Sequence, residues 1–358
     1  MTPVIEVDGS LMEGGGQLLR MATTYSAILG EPVRILKIRA NRNQPGLKPQ
    51  HFQTLRAVAA LCGAETKGLE IGSDEIEFHP GPIKGGVFSF DIGTAGSCSL
   101  LLQCAAPVAA YADSPVKISV KGGTAVRWSP PMPIVQSVVW AGLRKMGFSG
   151  VLRTLKDGYY PKGGGLVEAN IQPIDVFKAI VCEKPDVRGV RGISTCGGLP
   201  RHVAERQAAA AKVVLSEECY ESKIDVATPG KALNPLSPGS LICLWVEGEA
   251  LIGDDGLGER GKTAERVGTE AAQRLVGQIK SGAYVDMHTA DNLVLPCSLA
   301  EGTSSFSVSR LTLHTLTAVE IAKSILGVKI KVDGYEGAPG RIVIDGRCVG
   351  NHRFSAKP

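Results

Sequence analysis

The sequence predicts an α/β (α+β) protein built as one large domain of three β-α-β-α-β-β repeats that carries a small inserted α/β domain. Three observations predict it. The same order of strand-period and helix-period segments recurs three times along the chain. Residues 183–282 interrupt that series with an order of their own. The chain of 358 residues, 44% of them hydrophobic, exceeds the usual size of one domain and can fill more than one core. The large domain therefore takes residues 1–182 and 283–358, and the insert takes 183–282.

In the first unit, "VIEVDG" alternates as a strand, "GQLLRMATTYSAILG" has helical period, "PVRILKIRA" is a strand and "FQTLRAVAALCGA" a helix, before the strands "TKGLEIG" and "EIEFHPG". The second unit repeats this with "VFSFDIG", "CSLLLQCAAPVAAYA", "VKISVKGG", "PIVQSVVWAGLRKMG", "VLRTLKDG" and "LVEANIQP". The third reads "YVDMHT", "DNLVLPCSLAEG", "SSFSVSRLT", "LTAVEIAKSILG", "VKIKVDG" and "GRIVIDG". Identity between the units is slight, so the repetition is structural. Helices separated by strands in this way imply small sheets with both helices on one face. The insert runs "RGISTCG", a helix "RHVAERQAAAAKVVLSEEC", strands "KIDVAT" and "LICLWVEGE", and a helix "GKTAERVGTEAAQRLVGQIK".

Bulk properties exclude several classes. The first residues have neither a basic nor an apolar leader region, and no run approaches the length of a membrane span, so a cytoplasmic protein without a membrane partner is expected. Nine scattered cysteines without a CxxC pair argue against a disulfide framework or structural zinc. A net charge of +4 decides nothing, but between Glu31 and Glu65 there is no acid while Arg34, Lys37, Arg39, Arg42, Lys48 and Arg56 occur with His51, which reads as a loop that meets phosphates. With 5% aromatic residues, stacking platforms are not the main theme.

Four junctions between strand and helix are candidate sites. "EGGGQLLR" offers glycine amides and a helix N-terminus to an anion, with Arg20 one turn on and Glu13 placed to hold a divalent metal. "DIGTAGSCSLLLQ" repeats that design, and its Gln103 either satisfies a backbone group or reads a ligand. "HTADNLVLP" replaces the glycines with His288, Asp291 and Asn292; Asp291 is either an N-cap or a ligand to a ribose, base or metal. In "SRLTLHTLTAVEIAKSILG", Thr317 and Glu320 read as a capping box, which places His314 just before a helix N-terminus. "GLGERGKT" in the insert fits the phosphate-loop pattern, but Asp254, Asp255 and Glu259 would set negative charge beside phosphates, so it reads as a helix start.

The motifs "VDGSLMEGGGQLLR", "IRANRNQPGLKPQH", "GTAGSCSLLLQ", "VKGGT" followed by "SPP", "GYYPKGGG" and "LHTLTAVE", in this order, resemble the RNA 3'-terminal phosphate cyclase family. The resemblance runs over essentially the whole chain. It implies three repeats resembling the C-terminal domain of translation initiation factor three, with a small insert. It also implies ATP-dependent conversion of an RNA 3'-phosphate to a 2',3'-cyclic phosphate through a covalent histidine-AMP, with ATP and Mg²⁺ or Mn²⁺ required. By that resemblance His314 is the nucleophile. Gln103, Pro131, His288, Thr289, Ala290, Asp291 and Asn292 contact the adenylate. Glu13, Gln17, Arg20, Arg39, Arg42 and Gln50 contact phosphates and, at Glu13, metal. The sequence departs from the family pattern at His288, where tyrosine is common, at Asn292, where glutamine is common, and at Ala125, where a polar residue is usual.

The chemistry has a reason. A vicinal 2'-OH cannot readily close on a phosphate monoester, because oxide would have to leave. Adenylylation supplies AMP as the leaving group, and an imidazole can carry AMP through a labile P–N bond. Rival readings are a non-catalytic relative that binds ribosomal RNA in ribosome assembly, which lacks the histidine; an NTPase using Lys262; and a carboxyvinyl transferase on similar repeats, whose chemistry needs no histidine.

Overall fold

A computed structural model describes residues 3–228, 230 and 233–351. In the first unit β1 (Ile5–Asp8), α1 (Gly16–Leu29), β2 (Val33–Leu36), α2 (Pro49–Cys62), β3 (Glu65–Lys67) and β4 (Ile76–His79) form a sheet of order β1-β2-β4-β3. The second unit contains β5 (Gly86–Asp91), α3 (Cys98–Ala110), β6 (Val116–Gly122), α4 (Met132–Ile134), a π-helical stretch (Val135–Val139), α5 (Trp140–Lys145), β7 (Ser149–Lys156) and β8 (Gly165–Gln172), ordered β5-β6-β8-β7. The chain then makes the short β9 (Val181–Cys182) and leaves for the insert: β10 (Val187–Gly197), α6 (His202–Glu217), β11 (Ser222–Ala227), β12 (Gly239–Gly248), β13 (Gly253–Leu257) and α7 (Ala264–Lys280), ordered β11-β10-β12-β13. It returns as α8 (Thr289–Leu299), β14 (Thr303–Val308), α9 (Leu313–Leu326), β15 (Ile330–Asp333) and β16 (Gly340–Asp345), in a sheet ordered β15-β16-β14-β9.

The sheets β1–β4, β5–β8 and β9 with β14–β16 share one pairing scheme. A parallel first pair (β1·β2, β5·β6, β9·β14) is extended by antiparallel partners. One expectation fails in the third unit. The segment 284–289 is not its first strand: Val285 makes only isolated bridges to Leu251 and Val308, and the first strand is β9, which precedes the insert. The physical reason is Asp286. Its carboxylate accepts from His288 N at 2.8 Å and Thr289 N at 2.6 Å, which turns the chain into α8 instead of extending it.

The glycines Gly30, Gly63 and Gly327 close α1, α2 and α9 in the left-handed conformation, at φ 69°, 56° and 66°. Helix α1 packs on α2, α3 and α9, and α8 packs on α9, so the helices of all three units share one buried layer. Leu18, Leu19, Leu101, Leu293 and Val319 fill it, each worth about 1.5–3 kcal/mol when fully buried. The insert has a second core of its own, from Val190 through Ala211 and Leu244 to Leu275. Its contact with the large body runs through Leu251, whose N–H donates to Tyr284 O at 2.7 Å, and through Gly253, whose N–H donates to Asp286 Oδ2 at 3.0 Å. Among the described residues no helix is long and apolar enough to cross a membrane.

Candidate active site

The packing of α1 on α9 brings their N-termini together. Thr312 caps α9: its hydroxyl accepts from Thr315 N at 3.1 Å, so the helix begins at Leu313 and His314 lies in its first turn. The capping box expected at Thr317 is thereby corrected. Thr317 is buried within the helix, where its hydroxyl donates to Leu313 O at 2.7 Å and faces Glu13 N at 3.5 Å.

His314 is the exposed member of a buried chain of polar groups. Its Nδ1 lies 3.1 Å from Gln17 Oε1 and 3.2 Å from Glu13 Oε2. Gln17 Nε2 donates to Asp291 Oδ2 at 3.1 Å, so the amide oxygen is the end left to face the imidazole. An oxygen can only accept, and the proton therefore sits on Nδ1. That leaves Nε2 with the lone pair. The histidine side chain is 54% accessible while Glu13 is 12% accessible, so the ring is open to solvent where its carboxylate partner is not.

Glu13 is held on its other oxygen by Arg42, an ion pair across the mouth of the site. Glu13 Oε2 is buried and faces His314 Nδ1 at 3.2 Å without a well-aligned hydrogen bond. The glycines beside it make room for side chains. A Cβ on Gly15 would collide with the Glu13 carboxylate, and a Cβ on Gly16 with the His51 imidazole. His51 is a residue that motif reading passed over as a site member. It is half-buried with its Nδ1 enclosed and without a hydrogen-bond partner, and desolvation first, then the Arg20 and Arg39 guanidinium groups, pushes its pKa down to about 3, so the ring is neutral. The available signal was its place next to Gln50 at the start of α2, but the contact with Gly16 is a product of the fold.

Behind His314 a pocket is lined by Gln17, Arg20, Gln103, Cys104, Asp291 and Asn292. The Arg20 guanidinium is enclosed there; desolvation lowers its pKa, opposed by Cys104 and Asp291. Asp291 is half-buried in the pocket wall, and desolvation raises its carboxyl against the pull of His314, His288 and Arg20. Asn292 Nδ2 donates to His288 O at 2.8 Å and Asp291 Oδ1 at 2.7 Å.

The other expected contacts are held differently. Thr289 and Ala290 are buried in the first turn of α8, and the Thr289 hydroxyl donates to Asp286 at 2.8 Å. Arg39 has φ 56° and its guanidinium donates to Gln44 O at 2.8 Å and Gly46 O at 3.1 Å, which shapes the basic loop. Gln50 bridges to both backbone groups of Ser97, tying the first unit to the glycine turn of the second. Pro131 caps α4 and does not line the pocket behind His314. Among the described residues no three His, Cys, Asp or Glu side chains group as a metal cage.

The "GKT" loop is a helix start. Thr263 caps α7 by accepting from Arg266 N at 3.2 Å, Lys262 lies 2.6 Å from Glu270, and the preceding β13 pairs antiparallel at a sheet edge.

A family model described as RNA 3'-terminal phosphate cyclase matches residues 11–332. The chain is similar to proteins named RNA 3'-terminal phosphate cyclase from Methanopyrus kandleri, 45% identical over 95% of this chain and 98% of the relative, and from Pyrobaculum aerophilum, 43% identical over 98% and 99%. A relative of the same name from Methanosarcina barkeri is 43% identical over 93% of this chain and 98% of its own length. A solved enolpyruvyl transferase, NikO from Streptomyces tendae, aligns at a TM-score of 0.40 with 11% identity over 97% of this chain and 49% of that one.

Proposed function

The chain belongs to the RNA 3'-terminal phosphate cyclase family, and on that premise we propose that it converts an RNA 3'-terminal phosphate to a 2',3'-cyclic phosphodiester at the expense of ATP, through AMP carried on His314. The observation that carries this reading is the anchoring of His314, whose Nδ1 lies against Gln17 Oε1 and the Glu13 carboxylate, so that Nε2 keeps the lone pair.

His314 Nε2 attacks the α-phosphorus of ATP, a P–N bond forms, and the bond to pyrophosphate breaks. An oxygen of the RNA 3'-phosphate then attacks that phosphorus, the P–N bond breaks, and an RNA 3'-diphosphate-5'-adenosine results. Finally the 2'-oxygen attacks the 3'-phosphorus, loses its proton to solvent and expels AMP. Arg20 in the pocket wall and Arg42 beside Glu13 neutralise phosphate charge, and the carboxylate of Glu13 keeps the imidazolium character that develops on His314 paired. Glu13 would be the carboxylate that holds Mg²⁺ or Mn²⁺, ions that commonly take one or two carboxylates and complete their shell with phosphates and water, in exchange for its contacts with Arg42 and His314. A metal there supplies charge neutralisation on the nucleotide phosphates. The adenylate lies against the pocket of Gln103, Asp291 and Asn292.

The test is direct. Protein incubated with α-labelled ATP and Mg²⁺ forms an acid-labile protein-AMP adduct, and an RNA ending in a 3'-phosphate becomes resistant to phosphatase only when ATP is present. Equal labelling of His314→Ala rules out this mechanism.

A further inference from the structure

One buried side chain of the insert, Gln278 in the last turn of α7, reaches both chain segments that carry the candidate active site. All four of its hydrogen-bonding positions are used. Its Oε1 accepts from Met287 N at 3.0 Å and from the Ser309 hydroxyl at 2.9 Å. Its Nε2 donates to Gly253 O at 3.2 Å and to Asp254 Oδ2 at 3.2 Å. A backbone N–H can only donate, so Met287 fixes the amide with its oxygen toward the large domain and its nitrogen toward the insert.

Met287 lies in the turn that opens α8, the helix of Asp291 and Asn292. Ser309 follows β14, and the stretch from it to His314 is short and held. Ser309 N donates to Val285 O at 2.9 Å, Leu311 N donates to Ala338 O at 2.7 Å, and Leu311 is fully buried. The insert grips the turn before α8 a second time, because Gly253 N donates to Asp286 Oδ2, which also accepts from the Thr289 hydroxyl. Inside the site the two segments meet again at Gln17, whose Nε2 donates to Asp291 and whose Oε1 faces His314 Nδ1. Gln278 and Gln17 thus tie the same pair of segments at two places, one from the insert and one from α1. Stability alone does not ask for a glutamine at position 278. An apolar side chain fills a core at no polar cost, whereas a buried amide is tolerated only when each of its groups is paired, and it then specifies one geometry.

We propose that Gln278 is a positioning residue for nucleotidyl transfer: through it the insert sets His314 against the pocket wall that holds Asp291 and Asn292. This inference rests on the histidine-AMP reading above, and it gives the insert a part in the first chemical step.

The experiment compares wild type with Gln278→Met, which keeps the length and removes both polar groups, with Ser309→Ala, and with the double variant. A control truncates Leu215, inside the insert core, to Val or Ala, whichever matches the stability lost in Gln278→Met. At saturating ATP, Gln278→Met slows single-turnover protein-AMP formation about 10-fold, less than the roughly 100-fold that a 1 Å misplacement can cost. Ser309→Ala slows it about 3-fold, since Met287 still holds the amide. The double variant is no slower than Gln278→Met, because the serine acts through the amide. The Leu215 control labels within twofold of wild type. Hydrogen exchange without nucleotide reads the same link apart from any chemistry: amides of residues 287–292 and 309–314 exchange faster in Gln278→Met and not in the control. Labelling by Gln278→Met within twofold of wild type overturns the proposal, as do equal slowing in the control, additive effects in the double variant, or unchanged exchange. If Gln278→Met does not fold, Ser309→Ala against the control decides by the same two readings. Wild-type protein that takes no AMP label sinks the histidine-AMP reading instead, and the exchange measurement still decides whether Gln278 holds the two segments.

Discussion

Residues 13–16 and residues 256–263 are both glycine-rich turns that lead into a helix, yet the fold uses them in different ways. At the first, the glycines leave space that the Glu13 carboxylate and the His51 ring occupy, and α9 sets His314 against them. At the second, Thr263 caps the helix, Lys262 is neutralised by Glu270, and Ser240 stands where a Cβ on Gly258 would go. A glycine motif thus has no chemistry of its own; the charged groups brought to it from elsewhere in the chain decide what it does.

The comparison breaks if His314→Ala retains protein-AMP formation. Loss of at least about 1000-fold in labelling rate is expected, the scale at which removal of a nucleophile acts, with unfolding followed in parallel to show an intact fold. Arg20→Ala sharpens it next: adenylylation slows about 100-fold in single-turnover labelling, as for other losses of a fixed transition-state donor. Gln17→Ala frees the imidazole to rotate and slows labelling by about 10-fold, while Gln17→Glu, which keeps an acceptor for Nδ1, recovers part of it.

The insert side responds in stability instead. Asp255 has its carboxyl raised from 3.8 to about 7 by burial, with Asp254 adding to the shift. The sign follows: the ionised form is penalised in the folded state, so the penalty is absent below the unfolded pKa and grows as pH rises towards 7. Asp255→Asn therefore unfolds later than wild type at pH 8, by on the order of 2 kcal/mol in denaturant melts, and gains little at pH 4. Lys262→Ala is the smallest effect, with labelling and cyclisation within twofold of wild type; a large loss there would restore the phosphate-loop reading.

The strands and helices with long apolar runs or periods were legible in the sequence, because α7 and α9 bury one face and α1 and α3 are buried almost all round. Val181–Cys182 was not legible as a strand: two residues carry no alternation, and the partner Ser305–Phe306 lies beyond the insert. The cap of α9 was misplaced because Thr317 and Glu320 satisfy the motif, whereas Thr312 is recognised only by where the chain turns. His314 stood out through the resemblance of its motif, and its tautomer through none, since Gln17 is 297 residues away. His51 was read only as part of the basic loop for the same reason, its place in the site being set by contact with Gly16.

The splitting of the third sheet by the insert orders events in time. The first two sheets pair strands from within residues 5–172, so they can close while the chain is still being synthesised. Strand β9 has to wait for β14, with the whole insert looped out between them. His314 follows β14 and meets Glu13 and Gln17 only when that last sheet closes, so a nascent or truncated chain lacks the groups that would hold and carry AMP.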